Sequence, residues 1–129
     1  MSIYVKHILT CENIIHNPDG SSTLESSFVS IVTNDIPVEK EFYLFIGVVL
    51  LEETVDGCTL TILGPDKEEI VNTGFPIRGI GKGTLDDYAI NMGKFIFEKA
   101  GVYAINIYDK TKSLVGMHRI KVVLKEDEG

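Results

Sequence analysis

Tryptophan is absent from this chain of 129 residues, and cysteine, histidine and proline are scarce, at two, three and four. Two cysteines cannot build a disulfide framework, and at this length about two-thirds of the unfolded surface can be buried, so the core needs no staples. The three histidines are scattered, and no C-x-x-C or H-x-x-x-H spacing occurs. No metal and no cofactor are therefore expected. A basic cluster is missing too: 12 Lys and Arg stand against 19 Asp and Glu, a net charge of −7. That field repels phosphate backbones and anionic headgroups, which disfavours nucleic acid and membrane as partners. Long apolar runs are lacking. The longest, residues 42–51, lies between Glu41 and Glu52 and falls far short of the roughly 20 residues that span a bilayer as a helix. The amino terminus, Met1-Ser-Ile-Tyr-Val-Lys-His7, opens on a strand pattern without the basic-then-apolar run of a secretory signal. A cytoplasmic location, with Cys11 and Cys58 both reduced, is the expectation. One domain over residues 1–125 fits the length, with residues 126–129 as a frayed acidic tail.

What the chain has is alternation. From Tyr103, the apolar Tyr103, Ile105 and Ile107 alternate with Ala104, Asn106 and Tyr108, the period-two pattern of a strand with one core face. The return segment repeats it: Leu114, Ile120, Val122 and Leu124 share one parity, Met117, Arg119, Lys121 and Lys125 the other. The polar 109–113 segment is the turn between them. Gly101 relaxes the backbone before this strand, and Tyr103 is placed to bury its ring while its hydroxyl reaches the preceding loop, as in the tyrosine corner of immunoglobulin-like sandwiches. The expected fold is all-β, an antiparallel immunoglobulin-like β-sandwich of about seven to nine strands.

Earlier segments fit that plan. Residues 3–11 read as a strand with Ile3, Val5, His7, Leu9 and Cys11 on one parity, and Asn17-Pro-Asp-Gly20 is a strong turn signal. Residues 23–33 read as one weakly alternating edge or twisted strand. Asp56-Gly57 marks a turn, Cys58, Leu60 and Ile62 alternate as the next strand, and a short strand follows around Ile70 and Val71. Residues 84–92 fit both helical and strand spacing; the sandwich's need for a partner strand and the helix-weakening Gly93 favour strand. The core is expected to hold Tyr103, Ile105, Ile107, Ile120, Val122, Leu60, Ile62, Val5 and Leu9.

Residues 41–52 break the rule of one wet face. Phe42, Leu44, Ile46, Val48 and Leu50 fill one side, while Tyr43, Phe45, Val49 and Leu51 fill the other. Either the strand is covered on both faces, by segment 74–92, or the second face is an interface and the chain a homodimer.

Candidate chemistry is thin. The segment 74–83 is Gly-rich and carries Arg78 and Lys82, which invites anion binding, but the phosphate-loop spacing fails, since Pro76 and Gly83 stand where a Gly and a hydroxyl residue are required. The dinucleotide fingerprint fails as well, and a plain connecting loop is the ordinary account. His7 and Cys11 would be about 13 Å apart along a strand, too far for nucleophile and base. Cys58 points with its apolar neighbours, and His118 shares the parity of Ile120 and Val122, which suits a half-buried histidine with a backbone partner. Tyr108-Asp109 through Gly116 resembles the calcium-binding loop of C2 domains, but a second Asp is missing from the loop, and Asp56, Asp86 and Asp87 could supply it only through the fold. The chain therefore reads as a non-enzymatic interaction or assembly module whose partner is another protein or a second copy; the alternative is a small-molecule or anion binder using the 74–83 loop.

Leu9-Thr-Cys-Glu-Asn-Ile-Ile15, Asp19-Gly20, Leu24, Phe28, Ile31, Ile36-Pro37 and the later Gly101-Val-Tyr103 resemble an uncharacterised bacterial family of about this length. That resemblance implies a bacterial, intracellular, immunoglobulin-like sandwich, and it carries over no catalytic residues.

Overall fold

The computed structural model describes residues 2–53, 57–79 and 81–125. Among the described residues nine strands follow one another: β1 (Ile3–His16), β2 (Ser22–Ser27), β3 (Ser30–Thr33), β4 (Val38–Leu50), β5 (Cys58–Leu63), β6 (Glu69–Phe75), β7 (Leu85–Phe97), β8 (Gly101–Tyr108) and β9 (Leu114–Leu124). They form a four-stranded sheet ordered β2, β1, β4, β7 and a five-stranded sheet ordered β3, β9, β8, β5, β6. The molecule is an all-β immunoglobulin-like sandwich. No helix among the described residues is long and apolar enough to cross a membrane.

The core lies between the sheets. Phe42, Leu44, Ile46, Val48 and Leu50 from β4 meet Leu60 and Ile62 from β5, Tyr103, Ile105 and Ile107 from β8, and Ile120 and Val122 from β9. At one end the rings of Phe42, Phe95 and Phe97 cluster, and Phe97 meets Tyr103 edge to face, centroids 4.9 Å apart, joining the sheets. The tyrosine corner is present: the buried Tyr103 hydroxyl donates to the Lys99 carbonyl at 2.8 Å and accepts from the Lys99 amide at 3.1 Å. Gly101 has φ +130°, and a Cβ there would stand 2.8 Å from Pro65, so both conformation and space require glycine.

Three irregularities correct the alternation read from sequence. In β1 the pairing with β4 shifts between Val5 and His7, so Lys6 is an extra residue and the faces exchange. Ile3 and Val5 face inward, Val5 packing over Gly116, but from there Ile8 and Thr10 are the inner residues. Leu9, expected in the core, is 41% exposed on the outer face. In β7 the register slips opposite Glu41 and Tyr43, where Gly93 takes φ +64°. In β9 a shift opposite Ile107 and Tyr108 turns Leu114 outward.

Residues 23–33 are not one strand. β2 pairs with β1 in the first sheet, and the chain then crosses at Phe28 and Val29 to enter the second sheet as β3. The Phe28 amide donates to the Thr10 carbonyl, and Lys121 donates to the Val29 carbonyl, fixing the crossing. Because the chain changes sheets without reversing, β3 runs parallel to β9, the single departure from the expected antiparallel pairing among the strand pairs described. Segment 84–92 is strand, as the spacing favoured, but as the edge neighbour of β4 rather than a cover over it. Asp56 and the 126–129 tail lie outside the described residues.

Candidate functional sites

The outer face of the four-stranded sheet is built by register. Opposite Tyr43, Phe45, Gly47 and Val49 of β4 stand Cys11, Leu9, His7 and Tyr4 of β1, and Asn91, Ala89, Asp87 and Leu85 of β7. Directly opposed residues share a face, so these form one surface. The His7 ring stacks on Phe45 at 5.3 Å and lies flat over Gly47, where a Cβ would come within 2.3 Å of it. His7 Nε2 stands 4.0 Å from Asp87. This packing buries Phe45 to 8% exposure, yet Tyr4 and Leu85 remain 57% and 65% exposed, and Tyr43, Val49 and Leu51 are partly open. Cys11 is fully buried on this face, outside the main core cluster, so His7 and Cys11 do share a face but not the core face expected of them.

The other predicted site residues are not gathered into one place. Arg78 lines a small cavity of about 270 Å³ together with His16, Tyr88 and Ile90, but Lys82 lies elsewhere on the loop, exposed. The Arg78 guanidinium sits 4.6 Å from the Tyr88 ring centroid, and its Nη2 donates to the Asp87 carbonyl at 3.3 Å. The Tyr88 hydroxyl accepts from the Arg78 amide at 2.8 Å and donates to Asp86 at 2.6 Å. Burial first, then the Asp86 carboxylate, push the Tyr88 phenol up. The Gly-rich loop is tied to the end of β4 and the segment after it: Gly83 donates to the Leu50 carbonyl and Gly81 to that of Glu53.

Asp109, the residue resembling a calcium ligand, is consumed by its own turn. One carboxylate oxygen accepts from the Thr111 hydroxyl and amide and the Ser113 amide, and the other accepts from the Ser2 amide. The Thr111 hydroxyl, more than the amides, holds this carboxyl below the usual range. Asp86 and Asp87 are in the opposite sheet, and no group of three or more metal-ligating side chains occurs among the described residues.

His118 faces inward and meets Thr10 Oγ1 at 3.2 Å, a side-chain partner where a backbone one was expected. Thr10 in turn donates to the Phe28 carbonyl, so its oxygen is left to accept from a neutral Nε2–H imidazole. Burial pushes the His118 imidazole below its ordinary value. Cys58 is buried, and desolvation, with the Asp109 charge second, raises its thiol to about 11.

A larger concavity was not legible in the sequence. On the outer face of the five-stranded sheet, β5, β6, the end of β8 and the 109–112 turn enclose a groove of about 890 Å³. Its floor is two cross-strand rows, Gly74, Thr59 and Tyr108, then Asn72 and Thr61, with Asn106 paired to Thr61 just beyond the lining. Thr61 and Asn106 are buried at 7% and 8% exposure despite facing outward. The only sequence signal was that Thr59, Thr61 and Asn106 sit opposite the core parity.

No family model matches the chain, and no curated protein does. Among solved structures it is similar to an immunoglobulin-like protein from Pseudomonas aeruginosa, 10% identical, with 95% of this chain and 97% of that one covered and a TM-score of 0.47. It is also similar to a Niemann-Pick type C2 protein from the Japanese carpenter ant, 12% identical, with 97% and 94% covered and a TM-score of 0.49. These likenesses concern the fold alone.

Proposed function

We propose that the chain is a non-enzymatic interaction module that pairs with a second copy of itself through the outer face of the four-stranded sheet. The observation that supports this is the apolar surface of Tyr4, Leu9, Tyr43, Val49, Leu51 and Leu85 around Phe45, spread over three adjacent strands and not covered by segment 74–92. Isolated exposed apolar residues need no explanation, but a contiguous patch of several hundred Å² is near the upper limit for a soluble monomer. Burial at roughly 25 cal/mol per Å² offsets much of the association entropy, and two-fold pairing lets one patch serve both partners. Catalysis is not expected. His7 bears on Phe45 and Asp87, His118 on Thr10, and His16 lines the small cavity with Arg78, so each ring is placed against groups other than the two thiols.

Sedimentation velocity at micromolar concentration tests the proposal. A dimer is expected, with Leu85→Lys and Val49→Glu shifting it to monomer while the denaturation midpoint of the folded chain holds. A chain that stays monomeric throughout the micromolar range would end it.

A further inference from the structure

The groove on the opposite sheet carries a separate inference, which begins with a glycine that the fold does not need. Gly74 lies inside β6, where glycine weakens a strand and often marks a close approach by a ligand. Its φ is not in the left-handed region, and an added Cβ would meet only the Cys58 carbonyl oxygen, at an ordinary 3.6 Å. Neither strain nor crowding calls for glycine here. What its missing side chain does is keep the groove open beside Thr59 and Tyr108, its neighbours in the same cross-strand row.

The lining has a direction. At one end the half-buried Tyr108 stands beside Lys110 and Lys112 of the turn; Leu63 and Glu69 close the other. Asp109, just before the two lysines in sequence, has its carboxylate turned into the turn and onto Ser2, and the exposed Lys112 lines the groove at this end. The floor offers Thr59 and Thr61 and the Tyr108 ring, and two rows about 6.8 Å apart match a short molecule lying along the strands. A volume of about 890 Å³ is in the range of small-molecule sites. Glu69 at the far end disfavours a second anionic group on the ligand.

We infer that this groove binds a small monocarboxylate with a compact apolar body, the carboxylate at Lys112 and the apolar part over Gly74 and against Tyr108. The site is independent of the self-association face, which belongs to the other sheet. Titration of the full chain with 3-phenylpropionate, followed by amide chemical shifts, tests it. Saturable shifts are expected at Thr59, Thr61, Asn72, Gly74 and Tyr108, and the neutral 3-phenylpropionamide should bind about tenfold more weakly. Gly74→Leu should abolish binding by filling the groove, and Lys112→Glu, on an exposed turn, should weaken it by about tenfold even if the first variant fails to fold. Absence of saturation at millimolar acid, shifts centred elsewhere, equal binding of acid and amide, or full affinity in a folded Gly74→Leu variant would each overturn the inference.

Discussion

A few side chains fix this fold by polar contacts that alternation does not encode. Thr10 is one: it sits on the inner face of β1, donates to the Phe28 carbonyl where the chain changes sheets, and receives His118 from β9. Thr10→Val keeps the shape and strands two buried partners, so we expect a loss of about 1–3 kcal/mol by urea denaturation. Tyr103→Phe removes two hydrogen bonds to Lys99 while leaving the ring, and should cost about 1–2 kcal/mol. Two groups, His118 and Asp109, contribute to the acid limb of stability beside the exposed Glu12 and Asp19, whose carboxyls are also held low. Since burial lowers the His118 pKa, the unfolded chain takes up that proton first, so its contribution is full above about 6.5 and declines as pH falls below. Asp109 is held below the ordinary carboxyl value, so its contribution is present above about 3.8 and is lost as pH falls through the folded value. The denaturation midpoint should therefore fall in two stages on acidification, and His118→Gln should remove the upper one. Finding the upper stage intact in that variant would assign it elsewhere.

Element by element, strand existence was legible, and strand faces were legible except beyond a bulge. The period-two runs at 58–63, 101–108 and 114–124 all became strands, and the doubly apolar run became β4. Each misplaced residue traces to an inserted one: Lys6 puts Leu9 outside, and the shift opposite Ile107 and Tyr108 puts Leu114 outside. A bulge reverses every later side chain, yet in sequence it looks like any polar or small residue. Gly93 was legible as a helix weakener, while its φ of +64° in the β7 bulge was not. No atom lies within 4 Å of its would-be Cβ, so Gly93→Ala isolates the backbone term. It should cost about 1–2 kcal/mol, read from the thermal or urea midpoint. A neutral result would mean the bulge relaxes to another conformation.

At the scale of the whole molecule, the two sheets turn different outer surfaces to solvent: an apolar one around Phe45 and a concave, hydroxyl-lined one around Thr61. Self-association through the first must overcome repulsion between chains that each carry −7. Salt screens that repulsion with a length of about 8 Å at physiological strength, while burial of apolar area is not weakened by it. The proposed dimerisation by Tyr43, Val49 and Leu85 should thus tighten from low to moderate salt, in sedimentation equilibrium. Weakening with salt would indicate ion pairing and a different contact.

By itself the sequence determined the class of fold, the core of β5, β8 and β9, the tyrosine corner and the two-sided apolar character of β4, because each follows from local periodicity or from neighbours a few residues apart. Only the tertiary structure decided that β2 and β3 belong to different sheets, that β3 runs parallel to β9, and that segment 84–92 flanks β4 instead of covering it. It also separated Arg78 from Lys82 and opened the groove over Gly74. Those outcomes depend on which strands pair, and pairing is settled by contacts between residues far apart in the chain, such as Thr10 with His118 or Gly74 beside Thr59, whose side chains carry no mark of one another in the order of the sequence.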